Sequence, residues 1–247
     1  MFRLPEDSEK GLKMKFLDWL FRRNEQLPQA LVAAMPNRTL PDIPVSAPPV
    51  YGTNPLRDQK PLTPPAPKPV RKVTREVVLD FETTGLSDDD RVIELGMVEL
   101  LDGKPNFVRD RVIHTLVNPE GRESHPRARQ VHGISSKELE GKPTFSQIAH
   151  LVLEFIGDAN IIAHNADFEM RMLNNELRRA NRDPLPEHRF ICTMKLSQEK
   201  FGGSRGHRLD DLMERFGMSS ESDDIKRHRA LGDTLLLAIL YPKLRAR

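Results

Sequence analysis

The chain has 247 residues, of which 38% are hydrophobic and 30% charged, enough for one sizeable domain with extra segments. Its formal net charge is only +2 and its aromatic content 6%, so neither bulk charge nor a wealth of stacking rings announces a nucleic-acid binder. A lone cysteine, Cys192, excludes an intramolecular disulfide and a cysteine-based zinc site, and it fits a reducing compartment.

At the start of the chain, Glu6, Asp7 and Glu9 stand where a secretory signal carries positive charge. The apolar run from Phe16 to Phe21 is short and broken by Asp18. No stretch approaches the roughly 18 apolar residues of a membrane span. The expectation is a soluble, cytoplasmic protein without a membrane span. Within residues 1–35, Ser8 can cap an amphipathic helix to about Gln26, with Leu12, Phe16, Leu17 and Leu20 on one side. That helix either packs on the chain's own domain or docks a partner protein or an anionic surface. Eleven of the 20 prolines lie between Pro36 and Pro69, so residues 36–72 read as an extended, proline-rich tether. A folded domain is expected over 73–247.

Within it, Glu76 to Glu82 reads as a buried strand and Arg91 to Leu101 as a second. Asp102-Gly103 is a hairpin signal, and Phe107 to Val117 a third strand. Thr144 with Gln147 resembles a capping box that opens a helix to about Ile156. Asn160 to Ala163 reads as a short buried strand, followed by a helix from about Asp167 to Ala180 and a strand at Phe190-Ile191-Cys192. Helices are expected over Met194–Phe201 and Leu209–Phe216, with a last one ending near Leu240. A strand meander followed by alternating strands and helices predicts an α/β fold, a mixed sheet flanked by helices.

Three segments carry chemistry. In Val78-Leu79-Asp80-Phe81-Glu82-Thr83-Thr84-Gly85, Asp80 and Glu82 share one face of a strand that is otherwise apolar. Two buried same-side carboxylates are costly unless a cation neutralises them, and hard divalent ions suit oxygen ligands. In Ile161-Ile162-Ala163-His164-Asn165-Ala166-Asp167-Phe168-Glu169, a strand turns into a helix with acids in its first turn. In His228-Arg229-Ala230-Leu231-Gly232-Asp233, residues five apart point about 140° from each other on a helix. His228 should therefore precede the last helix, with Asp233 inside it. Gly202 to Gly206 lacks the Gly-Lys-Ser/Thr ending of a phosphate loop and reads as a mobile loop, whose Arg205, His207 and Arg208 could meet phosphates. Asp88-Asp89-Asp90 reads as a solvated turn.

In this order, with Val131-His132-Gly133-Ile134, Cys192-Thr193 and Leu209-Asp210-Asp211-Leu212 between them, the segments resemble the DEDDh-type 3′–5′ exonuclease superfamily. That family includes the epsilon proofreading subunit of bacterial DNA polymerase III and ribonuclease T. The resemblance runs from about Val77 to Leu240 and implies a ribonuclease H-like fold with two-metal phosphodiester hydrolysis, using Mg2+ or Mn2+. It implies Asp80, Glu82 and Asp233 as metal ligands, His228 as the general base, and Thr83, Thr84 and Gly85 as lining of the terminal-nucleotide pocket. His132 and Asn165 join them near the substrate, with loop bracing the plainer role for His132. The family places its third acid, an Asp, where this chain has Glu169. On a helical wheel Glu169 lies within the arc of Phe168, Met172, Leu173 and Leu177, while Asp167 lies among Arg171, Asn174 and Arg178. Glu176 also falls near the apolar arc. Glu169 is favoured as the ligand, with Asp167 the alternative.

The implied activity is removal of nucleotides from single-stranded or frayed 3′ ends, DNA favoured and RNA possible. A ribonuclease, or a nucleic-acid-binding module impaired by Glu169, are the rival readings. Residues 1–70 could deliver the domain to a polymerase or repair partner.

Overall fold

The computed structural model describes residues 73–218 and 227–246; the expected N-terminal helix and tether lie outside them. The elements in chain order are β1 (Arg75–Thr83), β2 (Val92–Leu101), β3 (Lys104–Pro105), β4 (Val112–Leu116), α1 (Pro126–His132), α2 (Ser136–Leu139) and α3 (Phe145–Ile156). They continue with β5 (Asn160–Ala163), α4 (Ala166–Arg179), β6 (Phe190–Cys192), α5 (Thr193–Phe201), α6 (Leu209–Arg215) and α7 (Ala230–Arg245). The strands form one mixed sheet in the order β3-β2-β1-β5-β6, with β4 also on β2. β1 runs antiparallel to β2 and parallel to β5, and β5 runs parallel to β6. The ribonuclease H-like arrangement expected from the sequence is what these elements build.

Alternation along β1 divides the core. Val77, Leu79 and Phe81 pack with Phe145, Val152 and Ile156 of α3 and with Met172 and Leu177 of α4. Val78 faces the other way, against Leu212 of α6 and Leu231, Leu235 and Leu236 of α7. α7 is buried from Ala230 to Ala238, which is why its sequence is apolar all round. The face of β1 that carries Val78 also carries Asp80 and Glu82, so the two acids look toward α7. Gly96 of β2, opposite Asp80 in register, makes that approach possible. A Cβ there would lie 2.5 Å from the Ala230 carbonyl oxygen and 2.6 Å from Thr234 Oγ1, so α7 sits directly on the strand backbone.

Most expected elements are present, with four differences. The third strand begins only at Val112, because Arg109–Arg111 form a 3-10 turn and Asn106 bonds back to Glu99 instead of extending a ladder. The last helix runs through Pro242 to Arg245 rather than stopping near Leu240. The short helices α1 and α2, held by His125 and by a Ser135–Glu138 capping box, had no counterpart among the sequence expectations. Asp90 is buried rather than solvated. It accepts from Thr84 Oγ1 at 2.9 Å, the Ser87 N–H at 2.8 Å and Arg122 at 3.0 Å, while Asp88 stays exposed.

Candidate active site

Three elements deliver acids to one place. The pairing of β1 with β5 ends at Val78, so the last residues of β1 stand free of β5. The backbone N–H of Phe81, beyond that point, faces the Glu169 carboxylate and favours its charged form. Glu169 reaches it because Asn165, at φ 61 and ψ 53, turns the chain sharply from β5 into α4. Asn is among the few non-glycine residues that tolerate this left-handed conformation. Asp233 comes from the first turn of α7. Carboxylate oxygens of Asp80, Glu82 and Asp233 all lie within 4.8 Å of one another. Oxygens sharing one hard cation are about twice the ~2.0–2.6 Å metal–oxygen distance apart at most, so this spacing suits such an ion.

The electrostatics say the same. Burial, then the negative charges of Glu169 and Glu82, push Asp80 well above the usual carboxylate range. Burial and Glu82 do the same to Glu169. Burial, with Glu94 adding to it, pushes Glu82 up to about 7. Glu169 is 4% exposed, and its Oε2 has no hydrogen-bond partner among the described residues. A crowded set of oxygen donors with an orphaned buried oxygen fits a divalent cation.

This crowding sets a pH dependence. Glu82 has a folded pKa near 7 against an ordinary value of 4.5, so between these pH values the native state holds the proton that the unfolded chain has lost. Stability of the metal-free protein should then fall as pH rises from about 4.5 to about 7, by up to about 3 kcal/mol from Glu82 alone. Asp80 and Glu169 shift in the same direction. Glu94 and Asp90, both held down at about 2, work in the opposite sense, and their contribution fades only as pH falls below this window. Thermal melts in chelator across pH 4.5–7.5 should show the decline, and Mn2+ should reverse it most strongly at the high end. A metal-free Tm that climbs through this window would overturn the assignment of strain to the cluster.

Of the two acids proposed for the third position, the structure brings only Glu169 to the cluster. The Asp167 side chain is 62% exposed and pairs with Lys195 at 2.8 Å, on the far side of the helix from Glu169. Glu169→Gln is expected to weaken Mn2+ binding and slow cleavage by roughly 10–100-fold, the range typical for disturbed metal sites. Asp167→Asn should leave both within about twofold, since exposed pairs contribute little; calorimetry and initial rates on the two variants check this. Glu176, the other acid near the apolar arc, is a buried brace. It accepts from Arg91 at 2.7 Å and the Val92 N–H at 3.1 Å.

His228 is exposed in the turn before α7, with φ 58, ahead of the helix that contains Asp233. Thr83 and Thr84 are buried with both hydroxyls engaged, Thr83 on the Gly85 carbonyl at 2.7 Å and Thr84 on Asp90. Gly85 has no room for a side chain, because a Cβ would lie 2.4 Å from an Asp90 oxygen. These three residues therefore shape a tight turn beside the acids. His132 does brace its loop, since Nδ1 accepts from the Ile134 N–H at 2.9 Å, yet its buried Nε2 has no partner among the described residues. Asn165 is exposed at the start of α4. Of the suggested phosphate-contacting residues, Arg205 and Arg208 are exposed, but His207 is not available. It is buried, with Nδ1 2.7 Å from Ser197 Oγ.

Two residues around the cluster had no sequence motif to mark them. Arg227 pairs with Asp233, and its Nε lies 2.7 Å from Asp210. Glu94 on β2 is fully buried and bound to Arg229 and His114. The available signal was Glu94 itself, a lone charge in Val92-Ile93-Glu94-Leu95-Gly96-Met97-Val98.

Comparison with known proteins agrees with this geometry. The sequence model of the exonuclease family RNase_T matches residues 77–241. DNA polymerase III subunit epsilon of Rickettsia felis is 38% identical, over 69% of this chain and 73% of that protein. The Escherichia coli subunit of the same name is 32% identical, over 68% and 70%. Among solved structures, Exonuclease X in complex with 5′ overhanging duplex DNA superimposes with a TM-score of 0.53 at 26% identity, covering 68% of this chain and 89% of that one. The nuclease domain of 3′hExo, described as a DEDDh family member and bound to rAMP, shares the fold with a TM-score of 0.59 at 16% identity, over 70% and 92%. The chain thus belongs to the exonuclease family RNase_T, as a 3′–5′ exonuclease of ribonuclease H-like fold with a cluster of acids that could hold a metal ion.

Proposed function

We propose that the chain removes nucleotides from the 3′ end of single-stranded or frayed DNA. Asp80, Glu82, Glu169 and Asp233 would hold two divalent ions, Mg2+ or Mn2+, and His228 would act as general base. The observation that carries this reading is the convergence of Asp80, Glu82 and Asp233 from β1 and α7, with the buried Glu169 of α4 close enough for its charge to act on Asp80. Bound ions supply the positive charge that stabilises the attacking and leaving oxygens of phosphodiester hydrolysis. The residues do the rest. His228, exposed in the turn just before α7, takes the proton of the attacking water. The turn Thr83-Thr84-Gly85 and Asn165 border the acids and receive the terminal nucleotide. His132 offers Nε2 to the substrate while Nδ1 holds the loop.

The choice of DNA is supported by the epsilon subunits among the relatives and by the DNA-bound Exonuclease X. The rAMP-bound neighbour is the reason to test RNA in parallel. Residues 1–35 and the tether 36–72 would tie the domain, 73–247, to a polymerase or repair assembly in the cytoplasm, raising its effective concentration there. A pull-down that works equally well without residues 1–70 would remove that part of the reading.

The deciding experiment incubates purified protein with 5′-labelled single-stranded DNA or RNA of matched sequence, with Mg2+ or Mn2+. A ladder shrinking from the 3′ end, faster on DNA and lost in chelator, is expected. Faster loss of RNA would make the chain a ribonuclease, and no cleavage of either would make it a binding module.

A further inference from the structure

We propose that Glu94 is a positioning residue of the reaction, the anchor that fixes the His228–Asp233 segment against Asp80 and Glu82. This rests on the roles proposed above for His228 and Asp233.

Glu94 is 0% exposed in the middle of β2 and stands opposite Glu82 in the β1–β2 register, on the face toward α7. Both its oxygens are engaged by groups that decide where α7 starts. Arg229 donates through Nη2 to Oε1 at 2.8 Å and through Nε to Oε2 at 2.9 Å. The Ala230 N–H, at the first residue of α7, donates to Oε2 at 3.0 Å. His114 Nε2 lies 2.7 Å from Oε1 and closes the set from β4. Glu94 thereby does from a neighbouring strand what a local cap does, satisfying an orphan N–H at a helix start.

The two residues it grips sit between the two functional ones. His228 precedes Arg229, and the Asp233 N–H donates to the Arg229 carbonyl at 3.0 Å. Gly96, two residues along β2 on the same face, completes the seat by admitting the backbone at Ala230. In register, Glu94 lies beside Glu82 and Gly96 beside Asp80. The pair of strand residues that locates α7 is thus the pair flanking the two β1 acids. A shift of the helix start would move Asp233 and His228 together relative to them.

Stability alone gives little reason for this charge. Buried ion pairs are often replaceable by apolar residues at no loss, and here a second negative charge stands directly beside Glu82. Defined placement of the segment is what the network adds.

The test compares Glu94→Gln with Glu99→Gln in the full chain. Glu99 is a buried acid on the same strand, paired with Arg75 at 2.6 Å and Arg111 at 3.3 Å, and remote from the cluster. Three quantities are read: Mn2+ affinity by calorimetry without substrate, kcat and KM on 5′-labelled single-stranded DNA, and Tm. A displaced helix start should weaken Mn2+ binding about 10-fold and lower kcat by up to roughly 100-fold with KM nearly unchanged. Glu99→Gln should lower Tm while leaving Mn2+ binding and kcat within about twofold. If Glu94→Gln costs only Tm, and binding and kcat follow the Glu99 variant, Glu94 is a structural ion pair and the proposal falls. Should the parent protein bind Mn2+ but cleave no nucleic acid, the functional reading fails, and the calorimetric comparison still decides whether Glu94 places Asp233.

Discussion

Asp80→Asn is expected to lower kcat by about 10³-fold or more and, in the same protein, to raise the Tm of the metal-free form. The loss follows from position. Asp80 is the acid most directly crowded by the others, and its oxygens lie within 4.8 Å of those of Glu82 and Asp233. A divalent ion contributes several kcal/mol to the charge developing in phosphodiester hydrolysis, and each 1.36 kcal/mol is tenfold in rate. The gain follows from the same crowding. Without metal, Asp80 is held next to Glu169 and Glu82 in a buried setting that opposes its ionisation. A neutral amide of equal size removes that repulsion, and each kcal/mol relieved raises Tm by roughly 2–4 °C in a domain of 150–250 residues. Addition of Mn2+ should then stabilise the parent protein and leave the variant almost unmoved. A metal-free variant that melts lower than the parent would show that Asp80 is a structural acid, whatever happened to its activity.

That trade of stability for chemistry also explains which parts of the molecule the sequence disclosed. Asp80, Glu82 and Asp233 were legible because each breaks a strong local pattern. Two acids end an apolar strand, and one acid opens an apolar helix. The burial of Glu169 was legible from its arc on the helix, even though the family resemblance leads one to expect an aspartate there. The arc records burial, and burial is what separates it from Asp167. The partners of these acids were not legible, because they are cross-strand or long-range. Arg229 reaches Glu94 across 135 residues, and Arg91 reaches Glu176 across 85. Nothing local at either end specifies the match. Asp90 misled for a related reason. Its neighbours Asp88 and Asp89 are exposed, and the Thr84 hydroxyl, Ser87 and the distant Arg122 converge on it through the fold to make a buried acid of it. The short helix α1 was missed because an arginine-rich, non-periodic stretch, Pro126-Arg127-Ala128-Arg129-Gln130-Val131-His132, shows no apolar face.

His228→Asn should lower kcat by about 10²–10⁴-fold, the usual contribution of a positioned general base, while Mn2+ affinity and Tm stay near the parent values. Asparagine is the chosen replacement because His228 has a left-handed backbone, φ 58, which asparagine accepts with little strain. Its exposure means that little packing is lost. The variant therefore isolates proton transfer from folding and from metal binding, which the carboxylate variants cannot do. With no base in place, the remaining rate depends on hydroxide from solvent, so activity should keep rising with pH above neutrality where the parent levels off. Stopped or quenched time courses across pH 6–9 at saturating Mn2+ and substrate read this directly. If His228→Asn instead weakens Mn2+ binding as much as Glu169→Gln does, His228 belongs among the groups that hold the ion. A variant with parent kcat and parent pH profile would leave the proton of the attacking water to another group on the rim. Arg227, pinned between Asp210 and Asp233, could not take that part, since a guanidinium carries only donors and has no lone pair to accept a proton.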